Sequence, residues 1–554
     1  MKPLPYLSAR VRAAHLFGLW GFAVAQPIYS VLTDEPFWLA VQGYDGVDVV
    51  IYGLALLIAP PCVLMALELL AGLLHSKVSR VMHSIFVVVL GSIILFNAGD
   101  VLPWDYRAGV AFGLALFFER VYRGWEPARV FLTVCSVAPV LFVAMFLLKV
   151  PIAELSTTEA SVAAVPEVSS KTPVVLVVFD EFAESSLMTK NGKVDAFRYP
   201  NFAGLARSST WYRNATTVHD YTFWAVPSIL TGRLPQNKQL PVVADHPENL
   251  FTLLGHSYET HAFEPVTRLC SASICPRPHP SVGKRLRDLG PRFKRSFALF
   301  LTSKYHAEIH DWIDPRAQVS RFLASIKPGS GRQLYVLHVL LPHVPWHYLP
   351  SGLEYNGTES SHAGLVHGRW AQGHSVDRAY QRHLLQVGYV DLVLGEIVQR
   401  LRSKGLWNRS LVVVTADHGI SFRPGEQERT VDANNISDVA FVPLFVKLPR
   451  QHAGIVDDGA ASIIDVVPTI ADVLGAKIPW RVDGRSLLSD DRPSPSKIVV
   501  LSIFGERVTA SWRDLIAERA VTIDRKTELF GSGRDARLLS GLSQRSAGVA
   551  TGPR

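Results

Sequence analysis

Cysteine is scarce in this chain, with four residues in total, which sets aside a fold built on a disulfide framework. No cysteine has zinc-finger spacing, and Cys270 and Cys275 lack the CxxC or neighbouring His that a zinc site would use. Cys62 and Cys135 fall inside apolar runs and are read as small buried hydrophobes. Cys270 and Cys275 bracket four residues of a polar, Pro-rich region; outside the cytoplasm they would pair, inside they would stay as two thiols. Charge is thin as well: charged residues make up 19% of the chain, and the net +8 is spread without any long basic block. A nucleic-acid partner is therefore not expected. No internal repeat is visible.

What the chain does have is apolar residues, at 48% of the composition, and most of the excess lies before residue 150. Five apolar segments can be drawn, at 14–32, 47–73, 85–102, 108–118 and 130–148, against the roughly 20 residues that a spanning helix needs. The fourth is short. Pro27 and the pair Pro60-Pro61 predict kinks, and Glu68 is expected to snorkel to the interface. Lys2, Arg10, Arg12, Lys77, Arg80, Arg120, Arg123 and Arg129 flank one set of ends, while Asp34, Glu35, Asp45, Asp100 and Asp105 flank the other with only Arg107 against them. The positive-inside rule then puts the N-terminus in the cytoplasm, and an odd number of crossings puts the rest of the chain outside the plasma (inner) membrane. The first segment lacks a small-residue cleavage frame and reads as an anchor.

The predicted organisation is a helical bundle over 1–150, a small, polar linker over 151–172, a catalytic α/β domain over 173–488, and a C-terminal subdomain with a disordered tail over 489–554. From residue 173, short apolar runs alternate with helical stretches, as in a mostly parallel sheet. Residues 174–179 (VVLVVF) end at Asp180-Glu181, residues 334–341 (LYVLHVLL) end at Pro342-His343, and residues 411–416 (LVVVTA) end at Asp417-His418. Parallel strands share one carboxyl edge, where ligands bind in open α/β sheets. Acids and imidazoles gathered there suit a divalent metal. Residues 219–233 read as a loop entering a short helix capped by Gly232, with Thr222 at or just before the first turn. Backbone N–H groups there favour anionic oxygens, and a cation can sharpen a hydroxyl into a nucleophile. A plain helix cap is an equally good local reading of Thr222.

These motifs together resemble the sulfatase and alkaline-phosphatase superfamily: Asp180-Glu181 after a strand, Thr222 nine residues before the Thr of Leu-Thr-Gly, His343 in LPHVPW, and TADHG, followed by residues 442–446 (VPLFV) and 463–475 (IIDVVPTIADVLG). A preceding membrane bundle is similar to lipoteichoic acid synthases and phosphoethanolamine transferases. The resemblance implies that Asp180, Asp417 and His418 hold a metal, that Thr222 completes the shell and attacks phosphorus, and that His343 holds substrate oxygens or protonates the leaving group. Glu181 stands where sulfatases have a second acidic ligand. One departure matters: sulfatases carry Cys or Ser in a Cys-x-Pro-Ser-Arg motif, oxidised to formylglycine. Thr222 cannot yield that aldehyde, and its spacing to Pro227 resembles the phosphoethanolamine transferases instead.

The expected activity is outward-facing, metal-dependent transfer of a phospholipid-type headgroup onto a glycan or lipid acceptor through a phospho-threonine. The alternatives are a phosphoesterase or sulfuric-ester hydrolase with the same site, and a catalytically silent protein that binds glycan or lipid. The ligand types favour one ion, Zn²⁺ or Mn²⁺, with Ca²⁺ or Mg²⁺ as the harder options. His347 and Asp391 are candidate extra ligands, and His219 and Arg423 candidate substrate contacts. Residues 497–503 and the stretch after them are expected to form a small appended sheet.

Overall fold

The computed structural model describes residues 7–99, 104–160, 168–236, 239–277, 280–301, 313–329, 331–355, 363–366, 368–492 and 495–531. The expected disordered tail lies beyond them. The chain divides into two compact units, and the division is not serial. The first takes in the chain up to Thr157 together with a helix from much later in the sequence; the second holds the remainder.

Among the described residues of the first unit, four helices are long and apolar enough to cross a membrane: α1 (Ala9–Asp34), α2 (Gly46–Leu74), α3 (Ser76–Ala98) and α5 (Glu126–Lys149). The remaining expected segment, the short fourth one, is helical too, as α4 (Trp104–Gly124), but Arg107, Glu119, Arg120 and Arg123 make it more polar. Pro27 cannot donate to the carbonyl of Ala23. The chain answers with a π-helical turn at Gly21–Ala25, and Asn97 Nδ2 donates to the freed Ala23 oxygen (3.4 Å). Helix α2 continues as one helix through Pro60 and Pro61.

Glu68 does not snorkel. It is buried, paired with Arg12 and with His83 Nδ1 (2.9 Å). His83 Nε2 meets the Tyr122 hydroxyl (2.9 Å), which meets His15 Nδ1 (2.9 Å), and His15 Nε2 meets Thr133 Oγ1 (2.8 Å). A carboxylate this close to two basic partners is cheaper to keep inside the bundle than to carry to the interface. Cys62 is exposed on its helix and Cys135 half-exposed, so neither is the buried hydrophobe expected.

The second unit is an α/β fold with a mostly parallel central sheet. Its strands are β1 (Val174–Asp180), β2 (Thr210–Thr216), β3 (Glu259–Phe263), β4 (Gln333–Pro342), β5 (Leu411–Ala416), β6 (Leu444–Lys447) and β7 (Ile455–Ser462). They run in the order β3-β4-β1-β5-β6-β2-β7. Only β6 is antiparallel to its neighbours. β1, β4 and β5 sit side by side at the centre, buried on both faces, which is why they read as unbroken Val/Leu runs. Residues 152–156, inside the expected linker, form a short helix. The appended sheet is present as the hairpin β8 (Lys497–Leu501) and β9 (Arg507–Ser511). Ser511 caps a helix of 19 residues that follows it, Trp512–Phe530. Cys270 and Cys275 form a disulfide.

Candidate active site

Strand register explains how residues remote in sequence meet. Val178 pairs with His338 on one side and Thr415 on the other. Asp180, two residues on, points to the same face as Val178, which brings its carboxylate Oδ2 within 3.6 Å of His338 Nε2. Asp417 leaves β5 directly beside it. Its Oδ1 accepts from the backbone N–H of Glu181 (3.0 Å) and of His418 (2.7 Å). One ligand atom each from Asp180, His338 and Asp417 lies within 4.8 Å of the others, and all three side chains are buried.

Thr222 is the first residue of α6 (Thr222–Thr231), and Tyr221 before it supplies no side-chain cap. The helix ends at Gly232, whose φ of 70° is the left-handed conformation that glycine takes without penalty. The Thr222 hydroxyl lies 3.4 Å from Asp180 Oδ1 and 3.4 Å from His418 Nε2. His418 Nδ1 sits 2.9 Å from the Gly419 carbonyl, so that nitrogen carries the proton and Nε2 presents its lone pair to the same centre.

Arg429, which the sequence did not single out, closes the site. Its guanidinium reaches His418 Nε2 (2.9 Å), His343 Nε2 (2.9 Å) and the Thr222 hydroxyl (3.4 Å), with Nε 3.7 Å from Glu181 Oε1. It also lies over the Tyr221 ring at 4.2 Å. Asp220 Oδ2 accepts from the Val431 N–H (2.9 Å), which fixes the Arg429 loop to the residues before Thr222. His343 reaches this centre through Arg429, and its Nδ1 donates to the Val344 carbonyl (2.7 Å). Gln386, on the helix His374–Ser403, holds the loop in place by donating to the Pro342 and His343 carbonyls and accepting from the His347 N–H.

The centre gathers three buried carboxylates, Asp180, Glu181 and Asp417, against the Arg429 guanidinium. Burial pushes the Asp180 carboxyl well above its ordinary range, with the Asp417 charge adding to the effect. Burial raises Asp417 too, partly offset by His338. Burial lowers His338 to about 4, and burial with the Arg429 charge lowers His418 to about 3, so both imidazoles are neutral and able to ligate. Burial works against the Arg429 cation, but Glu181, Tyr221, Asp180 and Asp417 hold it charged. Both ring nitrogens of His338, Asp417 Oδ2 and Glu181 Oε2 are buried with no hydrogen-bond partner among the described residues. Native proteins rarely leave so many buried groups unpaired in one place. Two carboxylates and neutral imidazoles around such a centre fit a divalent ion. Glu181 adds backbone strain: its φ of 60° is left-handed for a non-glycine residue.

The remaining candidates lie elsewhere. His347 lines a cavity of about 450 Å³ with His343, Arg316 and Glu354. Asp391 caps another helix, accepting from the Asn201 and Phe202 N–H groups. Arg423 is held by Asp438 (2.8 Å), Glu518 and Thr522 and is not gathered around Thr222. His219 stacks on Trp224 (4.8 Å) and accepts from the Tyr221 N–H.

A family model described as Sulfatase matches residues 172–476, more than half of the chain. Among curated proteins, the chain is similar to the multifunctional alkaline phosphatase superfamily protein PehA of Trinickia caryophylli, at 30% identity over 28% of this chain and 30% of that protein. It is similar to arylsulfatase K of Bos taurus at 32% identity over 20% of this chain and 19% of that one. Similarity thus spans under a third of these relatives' length. A solved phosphonate monoester hydrolase from Silicibacter pomeroyi aligns at 18% identity and a TM-score of 0.41, over 59% of this chain and 79% of that one.

Proposed function

This chain belongs to the sulfatase family, and from that premise we propose that it is a membrane-held, metal-dependent phosphotransferase using Thr222 as nucleophile. The observation that carries the reading is the placement of the Thr222 hydroxyl 3.4 Å from both Asp180 Oδ1 and His418 Nε2, under the Arg429 guanidinium. Threonine at this position favours phosphoric over sulfuric esters, because it cannot be oxidised to the aldehyde that sulfatases use. Asp180, Asp417, His418 and His338 would hold the ion, with Thr222 completing the set; Zn²⁺ or Mn²⁺ fits these donors, and Glu181 would draw in Ca²⁺ or Mg²⁺. When bound, the ion supplies a Lewis acid that lowers the hydroxyl's pKa.

The chain's own residues do the rest. The anionic oxygens of a phosphodiester sit against Arg429 and the uncapped N–H groups of α6. The Thr222 proton departs toward Asp180 as the Oγ–P bond forms and the bond from phosphorus to the leaving oxygen breaks, and that oxygen takes a proton from His343 in its imidazolium form. An acceptor hydroxyl then reverses these steps on the phospho-threonine. The N-terminal apolar helices support a phospholipid headgroup as donor and a glycan or lipid as acceptor. The Cys270–Cys275 disulfide supports an extracytoplasmic catalytic unit, since such bonds persist in oxidising compartments. A second reading, hydrolysis of a phosphoric or sulfuric ester, is supported by the relatives named arylsulfatase and by PehA; turnover without any acceptor would favour it.

The test is acid quenching of the full-length enzyme with a headgroup-labelled phospholipid, followed by peptide mass spectrometry. A headgroup-phosphate adduct on Thr222, with its loss and loss of turnover in Thr222→Ala, is the expected result. Turnover retained in Thr222→Ala overturns the mechanism.

A further inference from the structure

One helix, α7 (Val282–Leu301), follows β3 in the sequence yet belongs to the first unit. It carries Lys284, Arg285, Arg287, Arg292, Lys294 and Arg295 against one acid, Asp288. At about 100° per residue, these cations fall on two faces.

The first face is buried. Arg285 forms a two-pronged pair with Asp45 (2.6 and 2.6 Å) and reaches Asp48 (2.8 Å). Arg292 reaches the same Asp48 carboxylate (2.7 Å) and lies over the Tyr44 ring at 4.2 Å. Asp45 and Asp48 form the capping box that starts α2, an apolar helix long enough to span. Further along α7, Phe293 packs on Tyr52 (5.3 Å) and Phe297 on Trp20 (6.4 Å). The helix therefore starts at the end of a span and continues down its side, a depth that in a bilayer runs from the headgroups into the upper acyl region.

The second face carries Arg287 and Lys294 opposite the two buried arginines, with Lys284 at its edge, all three exposed. Lys284 has Asp288 as a partner (2.7 Å), whereas Arg287 and Lys294 have no carboxylate partner among the described residues. Val282 and Leu286, also exposed, lie on the side of the helix that carries Phe293 and Phe297, about 80° or more round from the stripe. An ordinary water-facing helix would not be clamped to a spanning helix by buried ion pairs while presenting unpaired cations and apolar side chains at that depth. A helix with this charge and apolar pattern matches the headgroup layer, where apolar side chains enter the acyl region and cations meet lipid phosphates.

We propose that the Lys284–Arg287–Lys294 face of α7 is a binding surface for the phosphates of anionic membrane phospholipids. It rests on the reading of the first unit as a membrane bundle and not on the chemistry proposed for Thr222, so Thr222→Ala leaves it intact. The two buried arginines fix the start of the helix at headgroup depth, and the three exposed cations, Lys294 reaching up along its stem, select lipids of net negative charge over zwitterionic ones.

The test compares full-length wild type with the triple variant Lys284→Gln, Arg287→Gln, Lys294→Gln, each placed in nanodiscs of equal phosphatidylglycerol and phosphatidylcholine. Native mass spectrometry counts the lipids that stay with the protein on release. Wild type should retain mainly phosphatidylglycerol, and the variant should lose that preference by about tenfold or more, on the scale set by removing three interfacial cations. An unchanged thermal midpoint shows that the variant is folded; should it fall, the single variants Arg287→Gln and Lys294→Gln give the same comparison. Equal preference in wild type and variants overturns the proposal. So does displacement of the retained lipid by tens of millimolar inorganic phosphate, which would mark a site for soluble anions.

Discussion

At the scale of the residue, the arrangement around Thr222 divides into what a strand end announces and what only packing reveals. Asp180, Asp417, His418 and His343 stand at the ends of apolar runs, where a change from Val/Leu to acid or imidazole is visible in the sequence. His338 is legible too, as one imidazole within LYVLHVLL: an unpaired polar ring in a strand buried on both faces is costly, which marks it as a group with a partner to find. Arg429 gave no such signal, since it sits in a polar loop and reaches the centre only because Asp220 pins that loop. As the cation that faces Thr222, His343 and His418 together, it would, in the proposed transfer, stabilise charge developing on phosphoryl oxygens. Arg429→Gln should lower kcat by about 10²–10³-fold with a smaller change in KM, and Arg429→Lys should recover only part, because a point charge cannot span two imidazoles as the guanidinium fork does. Steady-state kinetics on a phosphodiester substrate checks this; an unchanged kcat in Arg429→Gln removes it from the chemistry.

Elements show how the site is braced. The turn after β1 is covered by the C-terminal helix Trp512–Phe530, whose Lys526 donates to the carbonyls of Ser185, Ser186 and Met188. The sequence predicted the hairpin before that helix, from its alternation, but not the helix itself. Its apolar face is narrow, and its anchors are Lys526 and Arg519, residues that a hydropathy reading assigns to solvent. In the same turn, Glu184 is fully buried, with Oε1 accepting from Trp211 Nε1 (2.8 Å) and Oε2 unpaired. Burial raises its pKa to about 8, with Arg519 opposing. A carboxyl whose folded pKa exceeds its unfolded value near 4.5 binds more protons when folded between those pH values, so stability falls as pH rises from about 4.5 to 8. Glu184→Gln should flatten this decline, and at pH 8 it should be at least as stable as wild type, by about 1 kcal/mol or more. Thermal unfolding of both proteins across pH 5–8 measures it; parallel profiles would show that Glu184 is ionised in the fold.

For the whole molecule, the α/β class, the parallel centre and the meeting of distant strand ends followed from hydrophobic runs and their terminators. Those signals are local and survive in one dimension. The interleaving of the two units did not follow, because α7 is ordinary amphipathic helix by pattern, and it is its pairing with Asp45 and Asp48 and its packing on Tyr52 and Trp20 that assign it to the first unit. Glu68 misled for the same reason: its partners Arg12 and His83 come from other helices. What unifies the second unit is a buried group of acids and imidazoles whose unpartnered atoms fit a divalent ion. Elemental analysis of the purified full-length protein addresses this directly, set beside the double variant Asp180→Ala, Asp417→Ala. About one divalent ion per chain in wild type, falling at least about tenfold in the folded double variant together with turnover, is the expected result. A wild-type protein that turns over phosphodiester at full rate while carrying no divalent ion, or a double variant that keeps its ion, would contradict it.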